Sequence, residues 1–439
     1  MTYGLFARAL MSTEEFGPIL LVLFVLIASA HVLGDLFSRM KQPRVIGEIL
    51  AGLLLGPTFL GHFFPRIFEN VFVGSATQES IVGFLYNLGL MLLMFVSGAE
   101  VKALFTRDDR REVTWLTLTG TLLPFGAVMA VAGLLPLQKF AGERTNTTSI
   151  LLVVGIAVAV TSIPVISRIL HDLKLLHTRF ARLVLGVAVI EDIALWAVLA
   201  IATALAKSGV LPKQQIAMHI VWTLVYFAAG LTIVPALLRR VSNARWNVLR
   251  TASPVAFLTL VLLGFAAVAT LMGVSLVFAA FLAGYAIASE RERLAEAIDT
   301  VRRFSFAVFI PVYFAVVGFK LDLRHDFSAM MLGVFLLAAC VVKLLSVGLG
   351  ARLAGFGWLG STNLAIAMNA RGGPGIVLAS VAYDAGIINA SFYTTLVLVA
   401  VLTSQAAGAW LDFVLRKGWP LLEAKSEVVV ASSGEKVAA

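Results

Sequence analysis

The sequence predicts an all-α polytopic membrane protein with about 13 transmembrane helices, arranged as two inverted six-helix repeats. Three observations carry that expectation. The 439 residues are 60% hydrophobic and 13% charged, with a mean hydropathy of +0.95, where a soluble chain of this length carries far more charge. The apolar residues fall in runs of about 20, the length that crosses a hydrocarbon core. Two of those runs, at corresponding places in the two halves, are interrupted by proline or glycine. Runs of this length favour helices over a barrel, whose strands are shorter and alternate strictly.

In order, the runs centre near residues 26, 53, 92, 124, 160, 193, 228, 262, 282, 311, 340, 373 and 403. The first is read as a retained span, because residues 1–15 hold Arg8, Glu14 and Glu15 and no clear cleavage site. Loops after the odd-numbered runs, with the C-terminus, hold 24 of the 34 Lys and Arg. Among them are Arg39, Lys41 and Arg44; Arg107, Arg110 and Arg111; and Arg239, Arg240, Arg245 and Arg250. The positive-inside rule then puts those loops and the C-terminus in the cytoplasm and residues 1–15 outside, as for a multi-pass protein of the cell (inner) membrane. The net charge of +9 is topology rather than a nucleic-acid surface. The one cysteine, Cys340, lies inside a run and excludes an intramolecular disulfide. Residues 420–439 are expected to be a short disordered cytoplasmic tail with no soluble regulatory domain.

Six runs, one linking run and six more force the second six to cross the membrane in the opposite sense to the first. The expected boundaries are a single domain over 16–415, with a first repeat at about 16–206, a linking helix at about 216–239 and a second repeat at about 251–415. VIGEILAGLLLGP (45–57) is faintly echoed by LVFAAFLAGYAIA (276–288). The fifth run of each half is where a helix should break. TSIPV (161–165) contains Pro164 after Thr161 and Ser162, and NARGGPG (369–375) contains Gly372, Gly373, Pro374 and Gly375. Proline removes a backbone donor and clashes with the turn before it. Breaks matched between two halves point to a binding site near mid-membrane.

Few charges lie well inside the runs: Glu191, Asp192, Lys343 and Arg371, with Glu48 nearer the cytoplasmic side. Buried charges need opposite partners or hydrogen bonds. Structural ion pairing accounts readily for Arg371. It accounts less well for two adjacent carboxylates, since helix neighbours diverge by about 100°. One acid can then face a partner such as Lys343 while the other faces the space between helices. Burial favours a carboxylate's neutral form and a nearby cation favours its charged form, so a tuned carboxylate holds either a proton or a monovalent cation. Competition at one alternately exposed carboxylate is sufficient for exchange, with Thr161 and Ser162 hydroxyls and carbonyls freed at the break completing an oxygen shell.

Other candidates carry less. Six histidines show no paired metal-ligand spacing, and His31 reads as interfacial or packed. Asp35, Glu100, Asp384 and Asp412 lie near run ends, where a wetted carboxylate costs little. No GxSxG, HExxH or phosphate-cradling loop supports an enzyme, and no cofactor is expected.

Six segments together resemble the monovalent cation:proton antiporter-2 family, from about residue 16 to 415. They are PRVIGEILAGLLLGPTFLG (43–61), TSIPVISRIL (161–170), GVAVIEDIALW (186–196), FAVVGFKLDL (314–323), the lysine of CVVKLLSVGLGARLAG (340–355) and MNARGGPGIVLA (368–379). The resemblance implies a thirteen-span inverted-repeat fold, with a dimerisation scaffold beside a moving core that holds two crossed broken helices. It implies Asp192 as the site for H+ and transported Na+ or K+, Glu191 paired with Lys343, Thr161 and Ser162 in the first broken helix and Arg371 in the second. It also implies a homodimer in the lipid bilayer. The sequence departs from the pattern in its Glu-Asp pair, in Gly375 where a carboxylate is common, and in lacking the nucleotide-binding domain of the potassium-efflux branch.

The reading is therefore exchange of Na+, with K+ as the other candidate, for H+ by an elevator-like movement, and electrogenic if the Glu191–Lys343 pair is broken by protonation. The alternative is a sodium-coupled symporter of an organic anion, with Arg371 on the substrate carboxylate. A non-transporting sensor or assembly subunit and an ion channel are further rivals.

Overall fold

The computed structural model describes residues 12–40, 42–100, 109–144, 146–175, 178–207, 213–244 and 247–422. The expectations for most of the N-terminal segment and the tail, and for Lys41, Arg107 and Arg245, lie outside the described residues. Inside a bilayer every backbone donor and acceptor must be satisfied within the protein, and helices do this segment by segment. The principal helices are α1 (Thr13–Arg39), α2 (Arg44–Leu55), α3 (Ala76–Glu100) and α4 (Arg110–Ala130). They continue with α5 (Thr147–Ala159), α6 (Ile163–Asp172), α7 (Arg179–Lys207), α8 (Lys213–Asn243), α9 (Pro254–Leu271) and α10 (Leu276–Ile287). The remainder are α11 (Arg291–Phe304), α12 (Ile310–Phe319), α13 (Ala329–Leu353), α14 (Trp358–Met368), α15 (Gly372–Asp384) and α16 (Ala390–Arg416).

Eleven helical stretches among the described residues are long and apolar enough to cross a membrane, and α5 is a shorter apolar helix. The difference from the predicted 13 has a local cause. Leu276–Phe319 is one continuous helical stretch in which the charged α11 carries helical geometry between the predicted centres at 282 and 311. The centre at 160 falls on the gap between α5 and α6. The linking helix α8 runs longer than the predicted 216–239.

The helices pack as two bundles joined through α8. One contains α1, α2, α3, α9, α10 and α12; the other contains α4 to α7 and α13 to α16. Backbones touch at several places in the first bundle, and at two crossings they do so reciprocally. A Cβ on Gly52 of α2 would lie 1.7 Å from the Ala315 carbonyl oxygen of α12, and one on Gly318 of α12 would lie 1.9 Å from the Ile49 carbonyl oxygen of α2. The α3–α10 crossing repeats the arrangement: Gly98 meets the Phe281 carbonyl at 2.1 Å and Gly284 meets the Phe95 carbonyl at 1.9 Å. Small residues let membrane helices approach this closely and pack without side-chain entropy cost. Gly52 and Gly284 each end a Leu-Ala-Gly triplet, in the two echoed segments of the sequence.

Side chains bridge the bundles at one end. Tyr86 of α3 donates to Asp384 Oδ2 at 2.8 Å, and Lys320 pairs with Asp384 Oδ1 at 2.8 Å. Tyr313 of α12 donates to Ser380 of α15 at 3.2 Å, and Tyr393 of α16 to the Val317 carbonyl at 3.0 Å.

Gly284→Leu is expected to abolish a monodisperse folded peak in detergent size-exclusion chromatography, while Gly264→Leu, where a Cβ meets nothing within 4 Å, leaves it intact. Equal behaviour of the two variants would show that the crossing does not need its glycines.

Candidate ion-binding site at the helix crossing

The second bundle is organised around two interrupted helices that meet at their breaks. Val160, Thr161 and Ser162 separate α5 from α6, and Asn369, Ala370 and Arg371 separate α14 from α15. The α5 ladder ends with the Val160 N–H on the Ile156 carbonyl, and Pro164 falls in the first turn of α6, where its missing N–H costs nothing. Gly372 takes φ +29°, a left-handed backbone that side chains rarely adopt. A Cβ on it would also sit 2.3 Å from Val165 Cγ2 and 2.7 Å from Ser162 Oγ, so the start of α15 lies directly on the start of α6.

A break leaves carbonyls without their i+4 donors, and buried carbonyls must be paired. Here the donors come from two buried cations and from the opposing strand. Arg371 Nε donates to the Ala157 carbonyl at 3.0 Å, and its Nη2 to Val158 at 3.3 Å and to Ala339 of α13 at 3.0 Å. Arg371 Nη1 reaches the carbonyl and the side-chain oxygen of Asn369 at 3.3 and 2.8 Å. Lys343 Nζ donates to the Ala159 carbonyl and, at 2.8 Å, to the Gly120 carbonyl. Across the gap, Thr161 Oγ1 donates to Met368 at 2.7 Å and Ser162 N to Ala370 at 2.7 Å. On the other side the N–H groups of Arg371 and Gly372 donate to the hydroxyls of Thr403 and Ser404 on α16, at 3.3 and 3.0 Å.

Lys343 and Glu191 are both fully buried and form an ion pair of 2.9 Å. Thr121 adds a second donor to the same oxygen, Glu191 Oε1, at 3.0 Å. The partner carbonyl of Gly120 lies in a π-helical turn, Leu118–Leu122, within α4. Pro124 stands four residues after Gly120 and has no N–H to close that carbonyl's helical bond. Gly120, Thr121 and the turn are the parts of the site that sequence reading missed; the signal was a proline four residues after a glycine in a Thr-rich run.

Asp192 is separate from this cluster. It is 1% exposed, and no hydrogen-bond donor among the described residues reaches either of its carboxylate oxygens. One turn further on the same face of α7, Trp196 is also buried, and its indole N–H has no acceptor. Its ring packs beside Phe278 of α10, 6.4 Å between centroids, which turns this face of α7 toward the first bundle. An isolated ionised carboxylate in a dry interior costs several kcal/mol, so a proton or a cation on Asp192 resolves the imbalance. The hydroxyls of Thr161 and Ser162 lie in the α5–α6 break, the first donating to the Met368 carbonyl and the second accepting from the Val165 N–H.

Of the predicted charge partners, Lys343 meets an acid and Arg371 does not. All five Arg371 N–H groups are matched by its five contacts to carbonyl or amide oxygens, so it clamps the crossing rather than an ion pair. Glu48 lies in the other bundle, 3.2 Å from Arg44. His31 is half-buried, with Nε2 2.7 Å from the Ala307 carbonyl.

An interrupted-helix crossing and a buried carboxylate thus lie within a multi-pass helical membrane protein. Residues 20–417 match the family described as sodium/hydrogen exchanger, transmembrane, and the chain belongs to that family. It is 28% identical over 395 residues to the K(+)/H(+) antiporter 1 of Saccharomyces cerevisiae, covering 84% of this chain and 43% of that one. The chain thus spans under half the length of that relative. It is 28% identical over 411 residues to the Na(+)/H(+)-K(+) antiporter GerN of Bacillus cereus, covering 92% of this chain and 97% of GerN. Its fold matches that of the sodium proton antiporter MjNhaP1 of Methanocaldococcus jannaschii with a TM-score of 0.61, at 14% identity over 92% of this chain and 99% of the other.

Removing Lys343 leaves Glu191 without its counter-charge and two carbonyls without a donor, so Lys343→Ala is expected to destabilise the protein by about 3–5 kcal/mol. Glu191→Ala made in that background should cost less than alone, a coupling of about 0.5–3 kcal/mol in thermal or denaturant unfolding. Strict additivity would mean that the two residues do not act as a pair.

Proposed function

We propose that the chain exchanges Na+ or K+ for H+, with Asp192 as the group that carries each in turn. One observation supports this above the others: Asp192 is buried with no donor among the described residues on either oxygen, while its neighbour Glu191 is held by Lys343. With Lys343, Arg371 and Glu191 charged, the site holds one net positive charge whether Asp192 carries a proton or a monovalent cation. The two loaded forms are thus electrostatically alike, and the ionised, unloaded form differs from both. That is what obligatory exchange needs, because only loaded forms then cross with the same energy.

The two-bundle packing supports an elevator-like mechanism. The backbone-locked α2–α12 and α3–α10 crossings form a rigid scaffold, and α4 to α7 with α13 to α16 form the moving core. An inverted repeat exchanges these two crossings, α2 for α10 and α12 for α3, which agrees with their reciprocal glycines. The apolar, outward-facing side chains of α1, Phe24 at 69% and Val32 at 66% exposure, suit lipid or the second copy in a homodimer. In this reading the protein sits in the cell (inner) membrane with its N-terminus outside and its C-terminus in the cytoplasm. Transport is electrogenic if cation binding also frees a proton from the Glu191–Lys343 pair. The organic-anion symporter loses its anchor, since the N–H groups of Arg371 are spent on carbonyls.

In proteoliposomes holding a pH dye, Na+ or K+ added against an imposed pH gradient should drive a pH change. Asp192→Asn should reduce it to the level of empty vesicles while the protein inserts normally. Exchange retained by that variant would sink the proposal. If the Glu191–Lys343 pair also exchanges a proton, the two loaded forms differ by one charge and an imposed membrane potential should alter the rate; a rate indifferent to potential would leave one-for-one exchange standing and remove electrogenicity.

A further inference from the structure

A cavity of about 390 Å³ lies between α4, α5 and α13, away from Asp192. Its size falls within the range of about 300–1,000 Å³ usual for ligand pockets. The walls are apolar, built from side chains such as Ala127, Val154, Val158, Val334, Ala338 and Val342. On α13 the lining runs along one helical face from Met330 to Val342. Twelve steps of 1.5 Å make that face about 18 Å long, close to the half-thickness of about 15 Å of a hydrocarbon core. The groove is one lipid leaflet deep. Met330 and Val334, at 80% and 61% exposure, open it to the bilayer.

The only polar lining residues are Lys139 and Ser328, one from the loop after α4 and the other the N-cap of α13. Lys139 is exposed and has no ion pair among the described residues. Ser328 Oγ accepts the Met331 N–H at 3.2 Å, and its own proton goes to no acceptor among the described residues. The mouth therefore offers an ammonium and a hydroxyl donor, while the far end is closed by Val158 and Ala339. The carbonyls of those two residues hold Arg371 Nη2.

We propose that this groove binds an anionic phospholipid, with one acyl chain along α13 and the phosphate on Lys139 and Ser328. Charge complementarity selects this occupant: an apolar amine would be repelled at the mouth, and the bilayer presents lipid along the whole length of the groove. The chain end then rests against the backbone that Arg371 clamps, so occupancy stiffens the helix crossing from outside.

The test is native mass spectrometry of the full chain in neutral detergent, delipidated and then titrated with phosphatidylglycerol or phosphatidylcholine. The unmodified protein should prefer phosphatidylglycerol about fivefold, the equivalent of the ~1 kcal/mol that one basic residue gives toward anionic lipid. Lys139→Gln should bind the two lipids equally, and Ala338→Phe, which fills the exposed groove, should bind neither. Absence of a preference in the unmodified protein, or a preference unchanged in Lys139→Gln, overturns the proposal. If Ala338→Phe fails to fold, the Lys139→Gln comparison decides alone. Equal retention of phosphatidylcholine or detergent by the unmodified protein would mark the groove as generic apolar surface, which also overturns it.

Discussion

The structure depends on the pairing of backbone carbonyls where two helices stop in mid-membrane. Ala157, Val158, Ala159, Met368, Asn369 and Ala370 present carbonyls that a continuous helix would have satisfied, and each has a donor. Leaving even one buried polar group unpaired costs a few kcal/mol. Buried arginine and lysine are the residues best able to cover several carbonyls at once, because they bring five and three donors respectively. Their own burial is costly in turn, and the carbonyl oxygens together with Glu191 offset that cost. Break and cations thus require one another: neither is stable in lipid alone.

This dependence orders the rest of the second bundle. Lys343 must reach both the α5 break and Glu191, which fixes α13 against α5 and α7. The π-helical turn in α4 delivers the Gly120 carbonyl to the same ammonium, so a fourth helix is tied to the point. The extra backbone residue of a π turn is a known device at functional sites. Glu191 is held in this network through Oε1 alone, its Oε2 having no donor among the described residues, and the helical angle leaves Asp192 outside the network. A single helix thereby carries one acid fixed for structure and one left available.

Much of this was legible in the sequence, for identifiable reasons. Pro164 and the Gly372–Gly375 cluster announce helix breaks by chemistry that acts locally, and length alone announces the helices. Glu191 and Lys343 stand out because charge in an apolar run demands a partner, and few partners existed. The role of Arg371 was not legible, because a count of charges cannot show that freed carbonyls will outnumber available acids. Thr403 and Ser404 were invisible for a similar reason: hydroxyls in membrane helices usually bond their own i−4 carbonyl, and both do so here while also accepting from Arg371 and Gly372. The glycine crossings needed knowledge of which distant helix each glycine meets. Only the Leu-Ala-Gly echo hinted at it.

The contacts between the two bundles have a consequence for rates. At the Tyr86–Asp384 end they are made by hydroxyl and ammonium tips on long side chains, with no interlocked backbone. Each hydrogen bond contributes about 1 kcal/mol net, because water replaces whichever partner is lost. On the proposed elevator-like mechanism, this seam is where the movement would occur, within the microsecond-to-millisecond window of collective helix motion. The reciprocal glycine contacts, Gly52 with Gly318 and Gly98 with Gly284, both lie inside the first bundle, so that bundle is held through its backbone while at this end the two bundles meet through side-chain tips.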